Sequence, residues 1–338
     1  MLRGVGLLGS RAGAGAGLLS GRLLSRGLVR RKASTASVMS VPISLGQPFL
    51  GPDRSPGLLM DKGLIQMLGN CGWRVSLVPE ITSSSSGESA SSDVGSNLNA
   101  KNCGEVGRVC EDLFKVTREQ AKTGNFLLIL GGDHCIPIGT IPGIKAARPK
   151  TGVVWVDAHA DINTPSSSGS GNMHGMPLAF LLGLVDNASS LPSMQWFKPC
   201  LEPKDIVYIG LRDLDTPEKL AIKRLGIKAF TMYDVDRLGI GKVMEQTADH
   251  LSKHESLHLS YDIDALDPVF APSTGTAVRG GLTFREGNFI CEYLAASGKL
   301  TSMELVEVNP SLHSDLDANK TVEMALTLIG SAMGQTIL

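Results

Sequence analysis

The segment VVWVDAHADINTP (residues 153–165) begins as an apolar strand and continues into polar residues placed at every second position. Alternate side chains of an extended chain point to the same side, so Asp157, His159 and Asp161 can converge on one point. The uninterrupted apolar run before them is typical of a strand that is buried on both faces, as in a parallel sheet. This segment therefore predicts a buried parallel strand whose carboxyl end carries a polar cluster.

Similar apolar runs occur along the rest of the chain and alternate with segments of helical character. We predict strands at residues 37–45, 74–81, 125–130, 151–156, 205–210, 227–232, 256–261 and 302–308, and helices at 55–72, 104–124, 241–254 and 286–298. Strands that alternate with helices predict an α/β fold, with a mostly parallel sheet between two layers of helices. No internal repeat is present, and we expect residues 37–338 to form a single domain.

Residues capable of chemistry follow five of the predicted strands, each at its carboxyl end. Ligands of open parallel sheets bind at this edge, where the loops converge. The residues at the five strand ends are Asp133 and His134; Asp157, His159 and Asp161; Asp213 and Asp215; Asp262 and Asp264; and Glu307 and Asn309.

Several of these carboxylates would repel one another if they met without compensating positive charge. Two divalent cations would balance four of them, and the imidazoles of His134 and His159 could act as neutral ligands. Oxygen ligands with a minority of imidazole and no thiolate suit Mn²⁺ better than structural zinc. A single Asp-x-Asp pair is usually a turn or a cap, but the combination on several strand ends favours a site for two metal ions about 3.5–4 Å apart.

Four collinear motifs, GGDH (131–134), DAHADINTP (157–165), SGNMHG (170–175) and SYDIDALDP (260–268), resemble the ureohydrolase family, and within it the arginases of the animal mitochondrial type. The resemblance implies the three-layer α/β fold that this family shares with metal deacetylases. It also implies hydrolysis of L-arginine to L-ornithine and urea by a hydroxide that bridges two Mn²⁺ ions and attacks the guanidinium carbon.

The same resemblance assigns roles to individual residues. The metal ligands would be His134, Asp157, Asp161 and Asp262 for one ion, and His159, Asp157, Asp262 and Asp264 for the other, so that Asp157 and Asp262 bridge. Asp264 would accept the proton that the nucleophile loses, and His174 would protonate the departing amine. Glu307, supported by Thr276, would pair with the guanidinium group.

Recognition of the amino-acid end of the substrate is also implied by resemblance. Asn163, Ser168, Ser170 and Asn172 match the loop that binds the α-carboxylate, and Asp215 and Glu218 match the groups around the α-amino group. A decarboxylated substrate such as agmatine would not need these groups in this form. Two alternatives remain, namely a relative that acts on another guanidino compound and a catalytically silent metal-binding regulator on the same fold. A dinucleotide-binding enzyme is disfavoured because the glycine-rich fingerprint after a strand is missing from the body of the chain.

The first 52 residues carry seven basic residues and no acidic one, whereas the remaining residues hold the other 25 basic and all 33 acidic residues, a net charge of −8. An acidic body argues against nucleic-acid binding. Residues 1–36, rich in Arg, Leu, Ser and Gly, are typical of a mitochondrial or plastid transit peptide, and the alternative is a disordered basic tail. With the resemblance to the mitochondrial type, we predict a location in the mitochondrial matrix. No apolar run is long enough to predict a membrane span.

Two further expectations concern the middle of the chain and its assembly. Residues 82–100 are rich in serine and cannot bury an apolar face, so we predict a surface loop there. The six cysteines show no C-x-x-C spacing, which is typical of a reducing compartment and gives no zinc motif. The resemblance also implies a homotrimer.

Overall fold

The computed structural model describes residues 34–82 and 99–336. Almost all of the predicted transit peptide (1–36) and of the predicted serine-rich loop (82–100) lies outside the described residues. The first strand begins at Thr35, inside the last two positions assigned to the transit peptide.

Eight parallel strands form one sheet in the described part of the chain, in the order β2-β1-β3-β8-β7-β4-β5-β6. The strands are β1 (Thr35–Val41), β2 (Arg74–Leu77), β3 (Phe126–Gly131), β4 (Thr151–Val156), β5 (Ile206–Leu211), β6 (Lys228–Thr231), β7 (Ser256–Asp262) and β8 (Leu300–Val306). The sheet was predicted to be mostly parallel, and every pairing between these strands is parallel.

Helices cover both faces of the sheet and make the outer layers. They are α1 (Ser55–Asp61), α2 (Leu64–Asn70), α3 (Cys103–Lys122), α4 (Pro137–Ala147), α5 (Pro177–Leu181), α6 (Thr216–Leu225), α7 (Met232–Leu238), α8 (Ile240–His250), α9 (Phe284–Ala296) and α10 (Asp315–Ala332). None of the helices within the described ranges is long and apolar enough to cross a membrane.

The apolar strands are buried on both faces because each contributes side chains to two cores. On β3, Leu128 and Leu130 belong to a core that includes residues of α9 and α10. Leu127 and Ile129 of the same strand belong to the opposite core, with residues of α3 and α4. Alternate residues of one strand therefore hold the two helical layers to the sheet, and the predicted three-layer α/β fold is confirmed.

One predicted helix differs in detail. Residues 55–72 were expected to form a single helix, but the chain forms α1 and α2 with a break at Gly63. Gly63 adopts a φ of +94°, a left-handed conformation that only glycine enters without strain, so the helix cannot run through it.

The strand order explains how the polar residues meet. The five strands whose ends carry them, β3, β8, β7, β4 and β5, are neighbours in the sheet. Since all of them are parallel, their carboxyl ends lie along one edge, and residues far apart in the chain become neighbours there.

Candidate active site

His134 follows β3 and lies at the centre of three carboxylates. Its Nδ1 is 3.1 Å from Oδ2 of Asp157, 3.1 Å from Oδ2 of Asp161 and 3.2 Å from Oδ2 of Asp262. Nδ1 is buried, yet none of these contacts has the direction of a hydrogen bond. The opposite ring nitrogen, Nε2, lies 2.9 Å from the Ser260 hydroxyl. If Nε2 carries the proton, Nδ1 presents a lone pair to the same space as the three oxygens.

Asp157, at the end of β4, faces both imidazoles. Its Oδ2 lies 3.1 Å from Nδ1 of His134, and its Oδ1 lies 3.4 Å from Nδ1 of His159. The second imidazole is also 3.1 Å from Oδ2 of Asp264. Two groups of potential ligand atoms result, one made of His134, Asp157 and Asp262 and the other of Asp157, His159 and Asp264, and the atoms of each group lie within 4.8 Å of one another. Asp157 is common to both, as expected for a carboxylate that bridges two ions.

The chemistry of these atoms fits divalent cations. Four buried carboxylates and two imidazoles provide oxygen and nitrogen ligands without thiolate, a set that suits Mn²⁺ and related ions. Burial and the charge of Asp157 raise the pKa of Asp161 to about 6 in the protein alone. Burial and the charges of neighbouring carboxylates raise the pKa of Asp262 as well, so Asp161 and Asp262 resist ionisation until positive charge is supplied beside them. Nδ1 of His134 is buried without a hydrogen-bond partner, so its lone pair also needs positive charge nearby, supplied by a proton or by a cation.

Three residues outside the predicted set hold the ligands in place. Trp155 donates from Nε1 to Oδ2 of Asp157 at 2.9 Å. Ser260 contacts His134, and it precedes Asp262 by two positions on β7, so the period of two in the sequence could have indicated it. Arg212 donates from Nη2 to the Asp264 carbonyl at 2.6 Å and fixes the turn after β7. Trp155 precedes Asp157 by the same two positions, so the same period could have indicated it, whereas for Arg212 the sequence carried no comparable signal.

Glu307 and His174 form a second part of the site, next to the metal ligands. Nδ1 of His174 is 3.2 Å from Oε1 of Glu307. Burial lowers the pKa of His174, but the hydrogen bond and charge of Glu307 outweigh it and raise the pKa to about 9. Gln47, which the sequence analysis did not single out, donates from Nε2 to the other oxygen, Oε2, at 2.6 Å. The backbone N–H of His134 donates to Oε1 as well, so the buried carboxylate is held from three sides.

Two of the site acids adopt a left-handed backbone. The φ angle is +49° at Asp161 and +64° at Glu307. Non-glycine residues rarely adopt such angles, and where they do the surrounding structure must compensate the strain. In both positions the conformation turns the chain directly after a strand-end segment, which directs the carboxylate into the site.

Asp133 and Asp213 were noted at strand ends but do not join the ligand cluster. Asp133 accepts hydrogen bonds from the backbone of Gly46 and Cys135 at 2.8 and 3.0 Å. These two hydrogen bonds hold the backbone on either side of His134 to the neighbouring loop at Gly46. Asp213 is exposed to solvent after β5.

The four loop residues expected to bind a carboxylate form a connected segment between Asp161 and His174. Asn163 donates from Nδ2 to Oδ2 of Asp215 at 3.0 Å. The hydroxyls of Ser168 and Ser170 accept the backbone N–H groups of Gly171 and Asn172 at 2.9 and 3.2 Å. The two hydroxyls also lie 3.5 Å apart, so one can donate to the other and at least one keeps its hydrogen available for another acceptor.

The remaining predicted residues lie around this loop and the ligands. Asp215 and Glu218 form the capping box of α6, and Glu218 also accepts from the backbone N–H of Ile162 at 3.3 Å. Burial raises the pKa of Glu218 to about 7. Thr276 was expected beside Glu307, but its hydroxyl donates to Oδ2 of Asp264 at 2.8 Å. The structure therefore links Thr276 to a metal-ligand candidate.

Comparison with known proteins agrees with this geometry. The profile of the arginase family matches residues 36–334. The arginase of Glaciozyma antarctica is 43% identical over 309 residues, covering 90% of this chain and 89% of its own. The mitochondrial arginase-2 of Homo sapiens is 42% identical over 313 residues, with 91% and 87% covered. A crystal structure of Entamoeba histolytica arginase in complex with L-ornithine superposes with a TM-score of 0.79 at 34% identity, covering 89% of this chain and 99% of that one. The chain belongs to the arginase family.

Proposed function

We propose that the protein hydrolyses L-arginine to L-ornithine and urea with two Mn²⁺ ions bound at the strand-end cluster. The observation that carries this proposal is the position of Asp157 between His134 and His159, with one carboxylate oxygen toward each imidazole. The activity is that of the family to which the chain belongs. When bound, the two ions would activate a water molecule for attack near neutral pH.

The protein's own residues account for the remaining tasks. Glu307, buried and accepting from Gln47, is suited to pair with the planar guanidinium group of the substrate. Asp264, held by Thr276, would take the proton released as the nucleophile adds to the guanidinium carbon. His174, whose pKa of about 9 keeps it protonated at neutral pH, would deliver a proton to the departing amine.

The amino-acid end of the substrate would be bound by the loop from Asn163 to Asn172 together with Asp215 and Glu218. The hydroxyl pair of Ser168 and Ser170 offers at least one free donor to a carboxylate. The carboxylate of Asp215 is a suitable acceptor for an ammonium group. These features favour arginine over agmatine, which has no carboxylate.

The decisive experiment is urea release by the full-length chain, stripped of metal and then supplied with Mn²⁺, with arginine and agmatine assayed in parallel. We expect manganese-dependent urea from arginine and little from agmatine. Asp157→Asn should abolish the activity, because it removes the shared ligand. Activity on agmatine alone would overturn the assignment of the carboxylate loop. If manganese binds but neither substrate releases urea, the protein binds metal without being an arginase, and the enzyme assignment is wrong.

The identity of the metal can be tested separately. Mn²⁺ is supported by the ligand set of carboxylate oxygens and imidazole nitrogens. The metal-free protein should regain activity with Mn²⁺ in preference to Zn²⁺ or Mg²⁺ when each is added at the same free concentration. Full activity with zinc alone would argue against manganese.

Location in the mitochondrial matrix and assembly as a homotrimer complete the proposal. The matrix location is supported by the composition of residues 1–36, which hold seven basic residues and no acidic one. Import into isolated mitochondria should require these residues, and import without them would contradict the matrix location.

The homotrimer is supported by resemblance to the family. Sedimentation equilibrium of the purified protein should give three times the chain mass.

A further inference from the structure

Gln47 reaches the candidate site from the loop between β1 and α1, and its side chain is buried beside Glu307. Its Nε2 donates to Oε2 of Glu307 at 2.6 Å. The preceding residue, Gly46, donates its N–H to Oδ2 of Asp133 at 2.8 Å, and its carbonyl accepts the N–H of His174 at 3.1 Å. The loop is therefore fixed to two other parts of the site, and the position of the Gln47 amide is fixed with it.

The other end of this amide has no partner. A carboxylate can only accept, so the amide atom that faces Glu307 is the nitrogen, and the oxygen points elsewhere. That oxygen, Oε1 of Gln47, is buried and makes no hydrogen bond within the described residues. A Cβ at Gly275 would lie 3.0 Å from it, and the next residue, Thr276, donates to Asp264. Oε1 is therefore an unused acceptor between Glu307 and the segment that contacts Asp264.

The two oxygens of Glu307 are used unequally. Oε1 accepts the backbone N–H of His134 at 2.8 Å and also lies 3.2 Å from Nδ1 of His174. Oε2 accepts from Gln47. Each carboxylate oxygen accepts about two hydrogen bonds, so Oε1 is fully used and Oε2 can accept one more. A guanidinium that took both oxygens would have to displace a histidine contact, whereas one hydrogen bond to Oε2 displaces nothing.

A guanidinium group bound at Oε2 needs a second acceptor nearby. The group is planar, and its hydrogens have fixed directions. The two hydrogens of a terminal NH₂ diverge, so the nitrogen that donates to Glu307 still has one hydrogen to place. Oε1 of Gln47 belongs to the amide that is bonded to the same carboxylate oxygen, and it is the acceptor without a partner. A buried acceptor without a partner costs free energy, so a ligand that donates to it is favoured.

We propose that Gln47 is a specificity-determining residue, whose amide oxygen accepts a hydrogen bond from the substrate guanidinium beside Glu307. This inference rests on the proposed function and extends it to a residue outside the motifs. Gln47 recognises the guanidinium both before and during the reaction, so its contribution falls on substrate binding and not on the chemical step.

The first test compares Gln47→Leu with Gln47→Glu in the manganese-loaded, full-length protein. Gln47→Leu removes both amide functions and should raise the KM for arginine about tenfold with kcat unchanged, since a hydrogen bond to a charged group is lost. The inhibition constant of the product ornithine, which has no guanidinium, should stay the same. The matched control, Gln66→Leu at an exposed position of α2, should change neither constant.

Gln47→Glu should restore most of the affinity for arginine. It keeps an acceptor oxygen at this position, and the proton that two adjacent carboxyl groups retain takes the place of the amide donor. Equal weakening of arginine and ornithine by Gln47→Leu would indicate a general disturbance of the site and would overturn the inference. An unchanged KM for arginine would overturn it as well.

A double-variant comparison separates contact with the substrate from support of Glu307. If Gln47 acted only by holding Glu307, Gln47→Leu would have no further effect once Glu307→Gln has removed the carboxylate. We expect instead a further loss of about fivefold in kcat/KM for arginine in the Glu307→Gln background. No further loss would make Gln47 a positioning residue and overturn the contact with the guanidinium.

Failure of the proposed function would be recognised separately. If the wild-type protein releases no urea from arginine, calorimetric titration with arginine and ornithine still tests Gln47, because it needs no turnover. Gln47→Leu should then weaken arginine about tenfold and leave ornithine unchanged. Unchanged binding of arginine would overturn the inference independently of the enzyme assignment.

Discussion

The indole of Trp155 stacks on the imidazole of His134, with ring centroids 4.2 Å apart and an angle of 13° between the planes. The same indole donates to Oδ2 of Asp157, the carboxylate that the two potential metal sites share. One buried side chain of β4 therefore orients two ligand candidates, one by its face and the other by its N–H group. Groups that orient metal ligands in this way commonly affect metal affinity strongly.

Replacing Trp155 by phenylalanine should keep an aromatic face against His134 and remove the hydrogen bond to Asp157. We expect manganese affinity to fall about 10- to 100-fold, since the shared carboxylate loses its donor. Titration of the metal-free protein with Mn²⁺ would measure the change. Trp196→Phe is the matched control, because that indole donates only to the backbone carbonyls of Gly107 and Ser193. Equal manganese affinity in the two variants would contradict the proposed role of Trp155.

Removing the metal should destabilise the protein by an amount that depends on pH. The folded-state pKa of Asp161 is about 6, raised by burial and by Asp157. Between the unfolded pKa of about 4 and this value the folded metal-free protein holds more protons than the unfolded chain, so its stability falls as pH rises through that range. Bound cations would remove this penalty.

Thermal unfolding with and without Mn²⁺ provides the measurement. At a free ion concentration 100 times the Kd, binding should contribute about 2.7 kcal/mol near neutral pH, which corresponds to a rise in Tm of about 4 °C for a folded domain of this size. The rise should shrink toward pH 4 as the carboxylates protonate. Asp157→Asn should lose most of it, and a rise that is independent of pH would argue that Asp161 does not titrate with the metal site.

The main features of the fold follow from the sequence because a run of consecutive apolar residues indicates a strand that is buried on both faces of the sheet. Residues 151–156 were predicted as a strand and are β4 to the residue. Helix α4 could not be recognised in the same way. It is apolar all around, contains Pro142, and packs Gly139 so closely on α3 that a Cβ would lie 2.3 Å from the Cys110 carbonyl. A helix that is buried on every side has no amphipathic period to detect.

The site was predictable to the extent that its residues follow strands with a period of two. Because β4 and β7 are adjacent, this pattern was enough to predict four residues of one cluster, namely Asp157, His159, Asp262 and Asp264. Gln47 could not be inferred, because it reaches Glu307 from a loop whose path depends on tertiary packing. The hydrogen bond from Thr276 to Asp264 could not be inferred either, since Asp264 and Glu307 follow the adjacent strands β7 and β8 and the sequence does not tell which of them Thr276 contacts.

Glu307→Gln should lower the pKa of His174 from its value of about 9. Burial favours the neutral imidazole, and in the wild-type protein the charge of Glu307 outweighs that effect, so without the charge burial dominates. The titration can be followed by NMR on metal-free protein, with the His174 signal assigned from a His174→Asn variant. An unchanged His174 titration would mean that other nearby carboxylates, such as Asp161, hold its proton.

A second buried cluster, at the opposite edge of the sheet from the candidate site, should contribute stability that is lost in acid. Asp205 accepts from Lys145 and His254 at 2.9 Å each, and although burial alone would raise its pKa, the hydrogen bonds from these partners lower it. The unfolded chain therefore binds more protons near pH 4, and stability rises with pH through this range.

Asp205→Asn should reduce the free energy of unfolding by about 1–3 kcal/mol at pH 7, and the difference should vanish as pH falls below the folded-state pKa. Asp186→Asn, at an exposed position, is the control for urea-induced unfolding at both pH values. If Asp205→Asn and the wild-type protein differ as much at pH 3 as at pH 7, the loss comes from packing and not from the ionised carboxylate.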